Sequence, residues 1–126
     1  MKLSTLLVLN AVLGLAYGIV LVLVPATVLA MYGMTPAPAA NLAGQLFGVE
    51  LIAVGLLCWF ARNVSDSAAQ QAIILAFLIA NVIGLIISLM GALSDVVNAV
   101  GWSAVLIYLV LAAGYAYFQF MKPSGS

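Results

Sequence analysis

One ionisable side chain, Glu50, stands in the middle of a long apolar stretch of the sequence. It lies about halfway between Asn41 and Arg62, so a helix over this stretch would place it near the middle of a membrane. A charged group at that depth costs roughly 2.5–3.5 kcal/mol or more, and acids inside membrane segments commonly have a function. No Lys, Arg or His lies at that depth to pair with Glu50, which favours the uncharged acid at rest.

Four other hydrogen-bonding side chains lie near the middle of apolar stretches. Asn81 and Tyr108 are close to the middle of the third and fourth stretches, and Asn10 and Tyr17 flank the middle of the first. Because a protonated carboxyl, an amide and a phenol can all donate and accept, we expect these groups to meet around Glu50. Two interpretations stay open: a network that fastens the helices together, or a site where Glu50 exchanges a proton or holds the polar end of a ligand.

The residue content excludes several familiar chemistries. The chain has no His and a single cysteine, Cys58, so histidine-dependent catalysis, a histidine metal site and an internal disulfide are excluded. No dinucleotide, phosphate-binding, HExxH or GxSxG motif occurs, and we predict no catalytic residue, no metal and no resident cofactor. Three basic and three acidic residues cancel, which removes the basic surface that nucleic acid requires.

The composition sets the elements that must position these groups. Of the 126 residues 67% are hydrophobic and 5% are charged, against about 45–50% and 25% in soluble domains. Four apolar stretches, at about 3–24, 41–61, 69–90 and 96–120, are long enough to cross about 30 Å of hydrocarbon as helices. We therefore predict an all-α integral membrane four-helix bundle over residues 1–122, with membrane lipid around it and a disordered tail at 123–126.

The basic residues predict the orientation of this bundle. With four crossings, Lys2, Arg62 and Lys122 fall on one side, and the other side carries no Lys or Arg. The positive-inside rule then places both termini in the cytoplasm, as in a multi-pass protein.

The connections carry turn and capping signals. Ser67 with Gln70 three residues later is typical of a capping box opening the third helix, and Ser94 or Asp95 is the expected cap of the fourth. Residues 25–33 predict a short helix at the membrane interface, stopped by Gly33.

Small residues predict where helices meet, because close backbone approach drives association in lipid. Spacing by four and three residues favours a left-handed bundle. The expected helix-packing glycines are Gly14, Gly18, Gly44, Gly48, Gly55, Gly84 and Gly101. A second face of the second helix predicts a homo-oligomer, and it comprises Ala43, Phe47, Glu50, Val54 and Leu57.

The layout resembles the DoxX-like group of small bacterial four-helix membrane proteins and its uncharacterised relatives. The segment Gln45-Leu46-Phe47-Gly48, continued to Gly55 and to residues 59–62, carries the resemblance together with the run at 25–33. The resemblance implies a four-helix protein of the bacterial inner membrane, sometimes a subunit associated with quinone-linked oxidoreductases.

Three functions stay open at this point. The favoured one is a non-enzymatic small membrane protein that supports a membrane enzyme complex or binds a lipid-like ligand. The second is a proton-coupled small-molecule transporter in which Glu50 is the coupling acid. The third is the membrane subunit of a quinone-linked oxidoreductase, with a quinone head group held by Glu50, Asn81 or a tyrosine.

Overall fold

The computed structural model describes residues 2–35 and 37–121, and this part of the chain is helical with no strand. Four helices within it are long and apolar enough to cross a membrane. The all-α prediction and the four long apolar helices are therefore confirmed. In chain order the elements are α1 Leu3–Leu23, α2 Pro25–Met31, α3 Pro38–Ala61, α4 Ser67–Leu93, a 3-10 turn Ala99–Gly101, α5 Trp102–Ala116 and a π-helical end Tyr117–Met121.

The helix bounds differ from the prediction in detail. α3 begins three residues early because Pro38 occupies its first turn, where a missing backbone N–H costs nothing. α4 is longer than predicted at both ends, and the fourth span begins at Ala99 rather than at Val96. Lys122 and the predicted disordered tail at 123–126 lie outside the described residues.

The predicted capping box of α4 is wrong by one residue. Asp66 is the N-cap, and its carboxylate accepts from the backbone N–H of Ala69 at 2.9 Å. Asp66 has the extended backbone that a cap needs, whereas Ser67 is already the first helical residue. The Gln70 side chain therefore does not reach back to a Ser67 amide but donates to the carbonyl of Val64 at 2.7 Å.

The predicted cap of the fourth helix is also wrong, because Asn98 fills that position instead of Ser94 or Asp95. The Asn98 side chain accepts from Val100 N–H at 3.0 Å and donates to the Met31 carbonyl at 3.2 Å. Asp95 instead adopts a left-handed backbone with φ 59°. Residues 94–98 are thus a loop whose last residue binds the end of α2.

The short helix predicted at residues 25–33 is confirmed as α2, Pro25–Met31, while its place at a membrane interface stays a prediction. Pro25 stands in its first turn, and Gly33 ends it with a φ of +78°, a conformation that favours glycine. The carbonyl of Tyr32 accepts from the backbone N–H of Asn98 at 2.9 Å. These bonds fix α2 across one end of the helix bundle.

The long helices form two close pairs, α1 with α3 and α4 with α5, and the pairs share few close contacts. Four glycines make the first pair: a Cβ on Gly18 would lie 2.6 Å from the Gly48 carbonyl oxygen, and a Cβ on Gly14 2.9 Å from that of Leu51. Gly55 lies in the same contact, against Leu15 and Ala11.

The other three glycines expected in helix contacts have different surroundings. Gly84 leaves room for the ring of Tyr108 between α4 and α5. A Cβ on Gly44 would meet Leu21 of α1 and Pro25 of α2 at 3.8 Å, which is an ordinary van der Waals distance rather than a close backbone approach. Gly101 was expected in a contact between helices. A Cβ there would instead meet the side chain of Val97, in the loop just before it.

The two pairs are joined by a packed cluster at the end of the bundle where α1 begins and the fourth span ends. Tyr115 is fully buried there, with its ring centroid 5.3 Å from that of Phe77. All members of this cluster come from the start of α1, the end of α3, the first half of α4 or the end of the fourth span. They are Leu3, Leu6, Leu7, Ala11, Cys58, Ala61, Ile74, Phe77, Leu111, Tyr115 and Phe118. We call this cluster the packed end.

Candidate binding cavity

A cavity of about 450 Å³ lies between the two helix pairs, on the side of the packed end that faces α2. α1, α2, α3, α4 and α5 all contribute to its lining, which is mostly apolar with a few polar side chains. Its volume falls within the range of about 300–1,000 Å³ found for small-molecule sites, whose linings are similarly mixed. We call the half of the bundle that contains it the open end.

The five residues that the sequence singled out for a site all line this cavity. They come from α1, α3, α4 and α5, and they are Asn10, Tyr17, Glu50, Asn81 and Tyr108. Counting residues from the helix ends therefore placed these side chains around one space, although their individual contacts differ from the expected network.

The Asn10 side chain makes a structural hydrogen bond where the cavity meets the packed end. Its amide nitrogen donates to the Tyr115 hydroxyl at 2.7 Å, and the Asn10 side chain is buried. This bond connects α1 to α5 and hence one helix pair to the other. Tyr115 was absent from the sequence-based site, although the matching polar positions of Asn10 and Tyr115 in two antiparallel helices were a usable signal for this bond.

Asn81 is buried and has one of its polar atoms satisfied. Its amide nitrogen donates to the Phe77 carbonyl one turn earlier in α4, at 2.7 Å. The side-chain oxygen accepts no hydrogen bond from the part of the chain that the structure describes. Because Asn81 lines the cavity, this oxygen is an acceptor that a bound molecule can use.

Glu50 is exposed and makes no hydrogen bond or ion pair with any described residue, so the expected network around a hidden Glu50 is not formed. The reason is helix geometry. α3 turns Gly48 and Gly55 towards α1, and Glu50 lies about 200° around the helix from Gly48. Glu50 therefore faces away from α1 and lies at the exposed edge of the cavity lining. Phe47 and Leu57, which belong to the same predicted second face of α3, are also exposed. The homo-oligomer that this face favours stays a prediction.

The cavity opens between α3 and α4. Three of its lining residues are exposed: Phe47 and Glu50 on α3, and Ala80 on α4. α3 and α4 follow each other in the chain but have almost no close contact. Since these residues lie near the middle of two candidate membrane spans, the opening faces the lipid side of the bundle rather than one of its ends.

Tyrosine hydroxyls gather under α2, at the closed top of the cavity. The Tyr32 hydroxyl lies 3.5 Å from that of Ser103. Burial raises the pKa of the Tyr32 hydroxyl, and the nearby Tyr17 and Tyr108 side chains raise it further, while Ser103 lowers it. Tyr32 was absent from the sequence-based site, because α2 could be predicted from the sequence but its position over the cavity could not.

No basic side chain lines the cavity. Arg62 lies at the opposite end of α3, with its guanidinium carbon 3.8 Å from the centroid of the Trp59 ring. Within residues 2–35 and 37–121, no three His, Cys, Asp or Glu side chains come together in a way that could hold a metal ion. Glu50 thus carries the only carboxyl among the residues that line this space.

Comparison of the chain with protein-family models, curated proteins and solved structures finds no match. Its function is therefore inferred from the cavity itself.

Proposed function

We propose that the protein binds a lipid-like molecule, with an apolar tail and a small polar head, in the cavity between its helix pairs. The molecule enters from the membrane between α3 and α4. The observation that carries this proposal is the mid-helix opening at Phe47, Glu50 and Ala80, which gives access from lipid. The protein is then a non-enzymatic binding or accessory protein of the membrane.

The lining suits such a ligand in two ways. Its large apolar share offers contact to an acyl chain or ring system, and a few convergent polar groups can orient a head group. The free acceptor on Asn81 and the hydroxyls of Tyr32 and Tyr108 are those groups. Few polar groups of the cavity lose water on binding without gaining a hydrogen-bond partner, so the desolvation cost of binding is low.

We further propose that both termini lie in the cytoplasm of a bacterial inner membrane and that the bundle is left-handed. Support for the orientation comes from Lys2 and Arg62, which are at the same end of the bundle because α1 and α3 pack as an antiparallel pair. Support for the handedness comes from the four-three spacing of the small residues. One-sided labelling of a cysteine placed at Asp66 checks the orientation.

Substitution of Gly44 by Leu tests the proposed function. Gly44 lines the cavity, and a Cβ added there meets nothing closer than Leu21 and Pro25, at 3.8 Å. We therefore expect the leucine to extend into the cavity without separating α1 from α3. We expect a photoactivatable long-chain alcohol, added to the protein in bilayer nanodiscs, to label cavity-lining peptides in the wild type. Gly44→Leu should lose that labelling.

Gly91→Leu is the matched control for this experiment. Gly91 is also in a helix, a Cβ added there would meet nothing within 4 Å, and the residue does not line the cavity. Both substitutions raise helix propensity by the same amount. Labelling of the cavity peptides that is equal in Gly44→Leu and Gly91→Leu would contradict the proposal, as would labelling confined to the outer face of the bundle.

A second candidate function is proton-coupled transport, which the unpaired carboxyl at the opening favours. Glu50 is accessible and without a partner among the described residues, as a group that exchanges a proton for a substrate must be. Release of protons when a ligand is added to reconstituted protein would support transport. Binding without proton release would support the first function.

A further inference from the structure

We infer that the head group held in this cavity is positively charged and that Glu50 is its counter-ion. The ligand class is then a cationic amphiphile, such as an alkyl chain carrying a quaternary ammonium. This inference rests on the proposed function and names the chemistry of its ligand.

The charge balance of the cavity supports a cation. Glu50 has no ion pair with any residue in the described ranges, and the lining contains no Lys or Arg. An anionic head would therefore place a second negative charge beside the carboxyl in a region of low dielectric. A cationic head neutralises the carboxylate, so that the pair enters the membrane interior with no net charge.

One aromatic side chain, Tyr17, lies at the depth of the carboxyl, and others line the same cavity. Gly48 faces Gly18, and the Leu51 carbonyl faces Gly14, so Glu50 is level with the turn of α1 that contains Tyr17. The cavity is also lined by Phe47, Tyr32 and Tyr108. Ring faces attract ammonium groups, and several rings around one space form the kind of cage that recognises quaternary ammonium.

Glu50 is the only charged side chain among the residues that line the cavity. The polar groups that line it from the other elements are Asn10 and Tyr17 on α1, Tyr32 after α2, Asn81 on α4 and Tyr108 on α5. None of these carries a positive charge. The preference for a cation should therefore depend on the charge of Glu50, and a Glu50→Gln protein should lose it.

The experiment compares three probes with the same alkyl chain: dodecyltrimethylammonium, dodecanol and dodecyl sulfate. Each competes with the photoactivatable alcohol for wild-type protein in nanodiscs. We expect dodecyltrimethylammonium to bind most tightly and dodecyl sulfate least. Glu50→Gln should weaken the ammonium probe roughly 30-fold or more and leave dodecanol within about threefold. Glu50→Asp, which keeps the charge, should retain the preference for the cation.

Substitutions of Tyr108 separate the ring from its hydroxyl. Tyr108→Phe removes only the hydroxyl and keeps the ring that attracts the cation, so it should retain the preference for the ammonium probe over dodecyl sulfate. Tyr108→Leu should weaken that probe roughly 2- to 30-fold relative to dodecanol. Dodecanol binding by the same variants reports whether the cavity is still folded.

The outcomes of these experiments distinguish the two proposals. If Gly44→Leu removes dodecanol binding but Glu50→Gln leaves the ammonium probe unaffected, the cavity binds lipid-like molecules and the cationic inference is wrong. Equal or tighter binding of dodecyl sulfate by the wild type also overturns it. If no probe responds to Gly44→Leu, the proposed function itself fails.

Discussion

The packed end and the open end of the bundle are built from the same four helices but are filled differently. At the packed end, large side chains from both helix pairs interlock, and Leu6, Leu7 and Tyr115 are almost completely inaccessible. At the open end, Gly44, Ala80 and Ala104 line a cavity of about 450 Å³. The helix pairs thus hold together at one end and enclose space at the other.

The difference shows how small residues have opposite effects in different settings. Gly114 accepts the side chain of Leu6, and Gly18 accepts the backbone of Gly48, so each of these glycines creates a close contact. Gly44 makes no such close approach, because a Cβ there would meet nothing nearer than Leu21 and Pro25 at 3.8 Å, and the residue lines the cavity instead. Since lipid supplies no hydrophobic drive for helices to close a gap, such a space persists unless a side chain fills it.

Truncation of a leucine in each half should give the largest difference. Leu7→Ala removes a side chain from the packed end and should lower the free energy of unfolding by about 2 kcal/mol or more, because the resulting void loses contacts on every side. Leu51→Ala, on α3 at the cavity wall and outside the packed end, should cost less than about 1 kcal/mol. Unfolding of both variants in mixed micelles measures the two values, and equal losses would show that the open end is packed in the membrane.

Removal of a tyrosine hydroxyl should give the next largest difference. Tyr115→Phe leaves the buried Asn10 amide without its acceptor and should cost about 1–3 kcal/mol. Tyr108→Phe removes a hydroxyl that makes no hydrogen bond with the described residues, and it should change the stability by less than about 0.5 kcal/mol. The same unfolding measurement applies, and a larger loss in Tyr108→Phe would reverse the assignment of the two ends.

The smallest effect on stability is expected in the loop at residues 94–98, which binds the end of α2. Asn98→Ala removes the cap of the Ala99–Gly101 turn and the bond to the Met31 carbonyl, and it should cost about 1 kcal/mol. Ser94→Ala, at one of the two residues that the sequence offered as a cap, should cost almost nothing. Hydrogen exchange at the backbone amides of Val100 and Tyr32 would locate the change, and protection unaltered by Asn98→Ala would contradict this assignment.

Residue patterns predict much of this fold, and the rest depends on contacts that they do not specify. Hydropathy and length give the four helices, and proline and glycine give α2. The capping prediction failed because Asp66 and Ser67 are both good caps, and only the backbone decides between neighbours. Asn98 was missed because its partner, Met31, is far away in sequence.

The candidate site shows the same division. Counting depth along each helix brought Asn10, Tyr17, Glu50, Asn81 and Tyr108 to one cavity. The depth of a residue along its helix does not tell which way its side chain faces, however. Rotation of each helix about its axis decides the bond between Asn10 and Tyr115 and the exposure of Glu50. The position of α2 over the cavity depends on hydrogen bonds to Asn98, which is far away in sequence. No local sequence pattern contains these bonds.

The sparse contact between the helix pairs has a consequence for biosynthesis. α1 and α3 can complete their glycine seam as soon as residues up to 61 have left the ribosome, before α4 and α5 exist. During that interval the carboxyl of Glu50 has lipid on its free side. The cavity beside it forms only when α4 and α5 pack against the first helix pair. A nascent chain arrested before α4 would therefore be inserted in the membrane and yet have no pocket.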